Sequence, residues 1–168
     1  MIDKADANFV GGLFFSKIGD TGIYIGPYPQ TQDDAKALYS AGITGVLNVQ
    51  TEKDHNSRSI DWSKMQTYYR QLQIEPVWSQ IDDQNGGELE LKLHDAANKL
   101  YEMITKKQLK VYVYCTTGMN RAPTVVLAYL SLFYGMDPLI AEQYVKSHRS
   151  VSEPNLAAVV RVVQQFRK

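Results

Sequence analysis

The stretch Val111-Tyr112-Val113-Tyr114-Cys115-Thr116-Thr117-Gly118-Met119-Asn120-Arg121-Ala122-Pro123 decides how this chain folds. Its first four residues are β-branched or aromatic, the composition of a strand buried on both faces. From Ala122 to Tyr134 the sequence is nearly all apolar and stops at Gly135, which predicts a buried helix with a glycine terminator. A strand thus runs straight into a short loop, and the loop into a helix with proline in its first turn. Open α/β sheets hold ligands at the carboxyl ends of their strands. Free N–H groups and the positive dipole end of a helix start make such a corner receptive to anions.

Outward from this corner, strands and helices alternate. Thr21–Ile25 reads as a short strand closed by Gly26, Pro27 and Pro29, and Ile43–Val49 as a buried one. Between them, Asp33–Ala41 reads as a helix with Gly42 just beyond its end. Residues 51–60 are polar and read as a loop, after which Asp61 caps a helix carrying Trp62, Met65, Tyr68 and Tyr69. Pro76 places the short strand Ile74–Trp78 near a sheet edge. A loop over 80–87 precedes a helix with Leu89, Leu93, Ala96, Ala97 and Leu100 at helical spacing. Asp137-Pro138 and Glu153-Pro154-Asn155 open two more helices. The expected class is α/β, a central mostly parallel sheet of four to five strands flanked by helices on both faces. The chain is expected to be one domain over residues 1–168, with its core from about residue 21 to about 160.

Composition narrows the function. Of 168 residues, 44% are hydrophobic, enough for a core. Eighteen basic and 18 acidic side chains cancel, which argues against a nucleic-acid or membrane-surface partner, so any anion site must be local. No apolar run approaches a membrane span and no signal peptide is expected at the start. A single cysteine excludes a disulfide framework and a multi-cysteine metal site, and fits a reducing, cytoplasmic compartment. His55, His94 and His148 have no partners at ligand spacing, so no metal or organic cofactor is expected.

Five residues, Thr116 to Asn120, separate Cys115 from Arg121, enough for a loop to curl around a tetrahedral oxyanion. The amides of Thr116, Thr117, Gly118, Met119, Asn120 and Arg121 would form the cradle. The thiol would lie beneath the phosphorus while the Arg121 fork grips two oxygens. The same amides and guanidinium favour the thiolate as nucleophile. Gly118 and Asn120 are residue types that tolerate the left-handed backbone of a tight cradle.

The pattern C-x-x-G-x-x-R between a strand and a helix resembles the signature loop of the protein tyrosine phosphatase superfamily, dual-specificity branch. Gly26-Pro27-Tyr28-Pro29-Gln30, Val46-Leu47-Asn48-Val49-Gln50 and Lys146-Ser147-His148-Arg149 with Pro154-Asn155 are most similar to laforin and the plant glucan phosphatases. Arg121-Ala122-Pro123 resembles the plant enzymes as well. The resemblance implies a cysteine-dependent phosphomonoester hydrolase of the dual-specificity protein phosphatase type, working through a cysteinyl-phosphate. It implies Cys115 as nucleophile, Arg121 as phosphate clamp and Asp83 as general acid and base, with Asp82 the alternative acid. Asn48 is expected to brace the loop or simply to satisfy a strand end. Arg149 is expected to support the loop or to pair on a helix end.

The sequence also departs from the resemblance. Tyr114 stands where the family has His, and Ala122 lacks the hydroxyl found after the Arg in many relatives. Ser57, Arg58 and Gln84 stand where the glucan phosphatases carry aromatic side chains. The expected substrate is therefore a phosphorylated protein, with a phosphoglucan as the alternative. A phosphate-binding pseudophosphatase without turnover is the rival that Tyr114 motivates. The chain is expected to be a monomer.

Overall fold

The computed structural model describes residues 8–10, 13–82 and 88–167. Six strands, β1 (Asn8–Val10), β2 (Leu13–Lys17), β3 (Ile23–Gly26), β4 (Gly45–Asn48), β5 (Glu75–Trp78) and β6 (Val111–Tyr114), form one sheet in the order β1-β2-β3-β6-β4-β5. The β3, β6, β4 and β5 strands are parallel, whereas β1, β2 and β3 pair antiparallel. Among the described residues there are seven α-helices: α1 (Gln32–Ser40), α2 (Glu52–Ser57), α3 (Trp62–Gln71) and α4 (Leu89–Tyr101) fall between strands, and α5 (Arg121–Tyr134), α6 (Pro138–His148) and α7 (Leu156–Phe166) follow β6. A π-turn, Glu102–Lys106, continues α4. This is the α/β class expected, with Pro76 on the edge strand β5.

Side chains alternate across β6 and divide the core. Val111 and Val113, with Cys115 beyond them, face a cluster built from α4, α5, α6 and α7. Tyr112 and Tyr114 face the opposite cluster, with Leu38 of α1, Met65 and Tyr69 of α3, and Phe15 of β2. Helices therefore cover both faces, as parallel sheets require. Among the described residues no helix is long and apolar enough to cross a membrane.

Two findings go beyond the sequence reading. The β1–β2 hairpin lies ahead of the core expected from residue 21 and extends the sheet. Phe15 is fully buried, with its ring edge-on to Tyr112 at 5.6 Å. The second finding is a correction, since the polar run 51–60 contains the helix α2. Thr51 Oγ1 accepts the Asp54 N–H at 3.1 Å and Asp54 Oδ2 accepts the Thr51 N–H at 2.8 Å, a reciprocal cap. A six-residue helix is too short to persist alone. His55 anchors this one, buried and stacked on Trp78 with ring centroids 4.7 Å apart.

Candidate active site

Cys115 leaves β6 at the centre of the sheet, and its Sγ accepts the N–H of Ala122 at 3.4 Å, in the first turn of α5. The loop between them is shaped by what holds its carbonyls. Thr116 O accepts from Tyr28 N–H at 3.4 Å, and Met119 O from Glu153 N–H at 2.6 Å. Gly118 O accepts from Arg149 Nε at 2.9 Å, and Asn120 O from the Thr124 hydroxyl at 2.7 Å. Each donor lies outside the loop, so these carbonyls point outward. In a trans peptide the following N–H points the opposite way. The amides of Thr117, Asn120 and Arg121 therefore turn toward the loop interior, while the Met119 N–H donates to Thr117 Oγ1 at 3.2 Å. Gly118 makes the reversal with φ of 71°, and a Cβ there would overlap the backbone of Gly26. Asn120 does not use the left-handed region expected of it. Its φ is −115°, and its side-chain amide instead donates to the Glu153 carbonyl at 3.0 Å.

The loop floors a cavity of 390 Å3 whose walls include Lys53, Asp54, Arg58, Asp82, Cys115 and Arg121. Arg121 Nη1 donates to Asp54 Oδ2 at 2.7 Å and to the Ile81 carbonyl at 3.1 Å. Both N–H groups of one nitrogen are thereby taken. The guanidinium plane is fixed, and among the described residues no partner takes the Nε–Nη2 edge, the geometry a bidentate ligand needs. Partial burial on its own would raise the Asp54 carboxyl. The hydrogen bonds from Arg121 and Thr51, with the Arg121 charge, outweigh it and hold Asp54 below the usual carboxylate range. Asp54 was missed by sequence reasoning, which passed over residues 51–60 as a loop. The signal that would have found it is the pair Thr51 and Asp54, a capping box at the end of a buried strand.

The other sequence-derived candidates fall into place unevenly. Asp82 is exposed on the cavity wall, while Asp83, the acid expected from the resemblance, lies outside the described residues. Tyr114 is buried on the opposite face of the sheet from Cys115, where the Tyr69 hydroxyl donates to its own at 3.4 Å. It packs a core and does not reach the loop. Arg149 does support the loop. Besides Gly118 O it donates to Ser16 Oγ at 3.1 Å, and it is 3% exposed. Asn48 reaches the loop only indirectly. Its Oδ1 accepts the Gln50 N–H at 2.8 Å, and Gln50 Nε2 in turn donates to Thr116 Oγ1 at 3.2 Å. Among the described residues no cluster of His, Cys, Asp and Glu is arranged to hold a metal ion.

Comparison with known proteins places this geometry. The family described as dual specificity phosphatase, catalytic domain, matches residues 23–168. The chain is 32% identical over 123 residues to the chloroplastic phosphoglucan phosphatase LSF1 of Arabidopsis thaliana, covering 73% of this chain and 20% of that protein. It is 29% identical to the amyloplastic phosphoglucan phosphatase DSP4 of Castanea sativa, covering 82% of this chain and 36% of that protein. Against dual specificity protein phosphatase 26 of Mus musculus it is 28% identical, covering 80% and 59%. The chain thus spans between a fifth and three-fifths of the length of these relatives. In fold it is similar to the crystal structure of PTPMT1, with a TM-score of 0.68 at 21% identity, covering 88% of this chain and 90% of that one.

Proposed function

The chain belongs to the family of dual specificity phosphatase catalytic domains, and from that premise we propose that it hydrolyses phosphomonoesters through Cys115. The observation that supports this most is the outward turn of the loop carbonyls around Cys115, with Arg121 fixed on the same cavity wall. A phosphoryl group seated in the cradle presents its phosphorus to Sγ. The thiolate attacks, forming the S–P bond as the P–O bond to the leaving group breaks. The inward amides and the free Arg121 edge hold the equatorial oxygens through the transition state. Asp83, or Asp82 in its place, delivers its proton to the leaving oxygen. The resulting carboxylate then takes a proton from water as that water attacks phosphorus. The S–P bond breaks, inorganic phosphate leaves and the thiolate returns.

Phosphorylated proteins are the substrate class we assign, because Ser57 and Arg58 bring a hydroxyl and a charge to the cavity wall and no aromatic ring. The names of the two plant relatives favour a phosphorylated polysaccharide as a second reading. Acid quenching during turnover of a phosphopeptide, followed by peptide mapping, tests the chemistry. Phosphate is expected on the peptide holding Cys115; turnover without any label on Cys115 would contradict it. Rates on phosphopeptide and phosphoglucan compared side by side decide the substrate.

A further inference from the structure

Beside the Cys115 cavity lies a second one of nearly equal size. It measures 380 Å3, and its walls include Tyr28, Gln30, Gln32, Lys64 and Tyr68. Among the described residues, Arg58 alone lines both cavities. Backbone geometry puts it on the divide. Arg58 closes α2 by donating its N–H to the Asp54 carbonyl at 3.2 Å. Ser59 then turns left-handed with φ of 55°, and Ile60 N–H returns to the His55 carbonyl at 2.8 Å.

This corner lays the Arg58 guanidinium over the Tyr28 ring, 5.9 Å from its centroid, within cation–π range. Tyr28 is the residue whose N–H holds the Thr116 carbonyl, so the cation is registered against the phosphate cradle itself. Unlike Arg121, neither Arg58 nor Lys64 makes an ion pair among the described residues. The carboxylate on the same wall, Asp61, accepts the Lys64 backbone N–H at 3.0 Å as the cap of α3. A guanidinium resting on a ring keeps its N–H edge free for a planar or tetrahedral oxyanion. The exposed amides of Gln30 and Gln32 supply donors and acceptors along the same wall for a peptide backbone.

We propose that Arg58, backed by Lys64, is a subsite for a second anionic group of a phosphopeptide, borne next to the residue whose phosphate enters the Cys115 cavity. That group is an acidic side chain or a second phosphate. The inference rests on the phosphatase reading for where the first phosphate sits, and adds which peptides the site selects.

Binding of non-hydrolysable phosphonate peptides, measured by titration calorimetry on the full chain, tests it without requiring turnover. Three peptides differ only beside the phosphonate residue: a neutral neighbour, a glutamate, or a phosphoserine. One exposed charge contact supports a preference of about two- to fivefold over the neutral peptide. Arg58→Ala should bring that ratio to one, and Lys64→Ala should reduce it. Preference for glutamate as well as phosphoserine identifies any flanking anion as the ligand; preference for phosphoserine alone identifies a second phosphate. Equal affinity for all three peptides, or a preference that survives Arg58→Ala, would overturn the subsite. Turnover of an aryl phosphate is followed in parallel. Its absence would defeat the phosphatase reading while the binding ratios still decide the subsite.

Discussion

Replacing Asp54 by alanine should separate turnover from binding. Arg121 Nη1 has two anchors, a charged one to Asp54 at 2.7 Å and a neutral one to the Ile81 carbonyl at 3.1 Å. The two side chains keep 15% and 26% of their exposure, so the pair is screened in part. A hydrogen bond between charged groups contributes about 1.5–3 kcal/mol, against about 1 kcal/mol for a neutral one. If Asp54 serves to present the Nε–Nη2 edge to the transition state, its loss should lower kcat by roughly 10- to 150-fold. Binding moves the other way, because removing a carboxylate beside the cradle favours an incoming anion; KM and the inhibition constant of inorganic phosphate should hold or fall. Asp54→Asn keeps an acceptor for Nη1 without the charge and should give an intermediate kcat. Steady-state hydrolysis of an aryl phosphate reads both constants. Circular dichroism checks that the broken cap of α2, worth about 1 kcal/mol, has not unfolded the protein. A kcat for Asp54→Ala within about twofold of wild type, or a loss carried by KM alone, would refute the argument.

Three further outcomes follow from the same geometry. Arg149→Ala leaves the Gly118 carbonyl and Ser16 hydroxyl buried without their donor, so urea unfolding should show a loss of about 2–4 kcal/mol, with reduced turnover. Tyr114→Phe removes a long 3.4 Å bond on the face away from Cys115, and should change kcat by less than about twofold in the same aryl phosphate assay. Burial lowers the His55 pKa against the opposing charges of Asp54 and Glu52, so the neutral ring is favoured on folding. That stability should be fully present above pH 6.5, the ring's ordinary value, and be lost as pH falls through the lowered one. Urea midpoints for wild type should decline over that range, and His55→Gln should flatten the decline.

How far the sequence could be read follows from which signals are local. The strand–loop–helix around Cys115 was legible because burial on both faces leaves an unbroken apolar run, and because only a few residue types suit a loop from Cys115 to Arg121. The side of Tyr114 was open to alternation alone: Tyr112 and Tyr114 share one face of β6, Val113 and Cys115 the other. Asp54 was hidden because α2 has no apolar periodicity, and its two-sided cap is a contact between a side chain and the backbone. The part played by Arg149 depends on Phe14 and Ser16, which lie 135 and 133 residues before it in the chain, so no local pattern announces it. The acid is different again, since a loop rich in Asn and Gly tolerates an aspartate for its turn chemistry as readily as for catalysis.

The central claim is that Cys115 does covalent chemistry on phosphorus with an aspartate as proton donor. Phosphate release from an unselective aryl phosphate across about pH 5 to 8, for wild type, Cys115→Ser and Asp83→Asn, tests it most directly. Turnover should vanish in the serine variant, and the asparagine variant should lose the fall in rate toward basic pH. Wild type as inert as Cys115→Ser, while still binding a phosphate mimic, would contradict the claim and leave a phosphate-binding module.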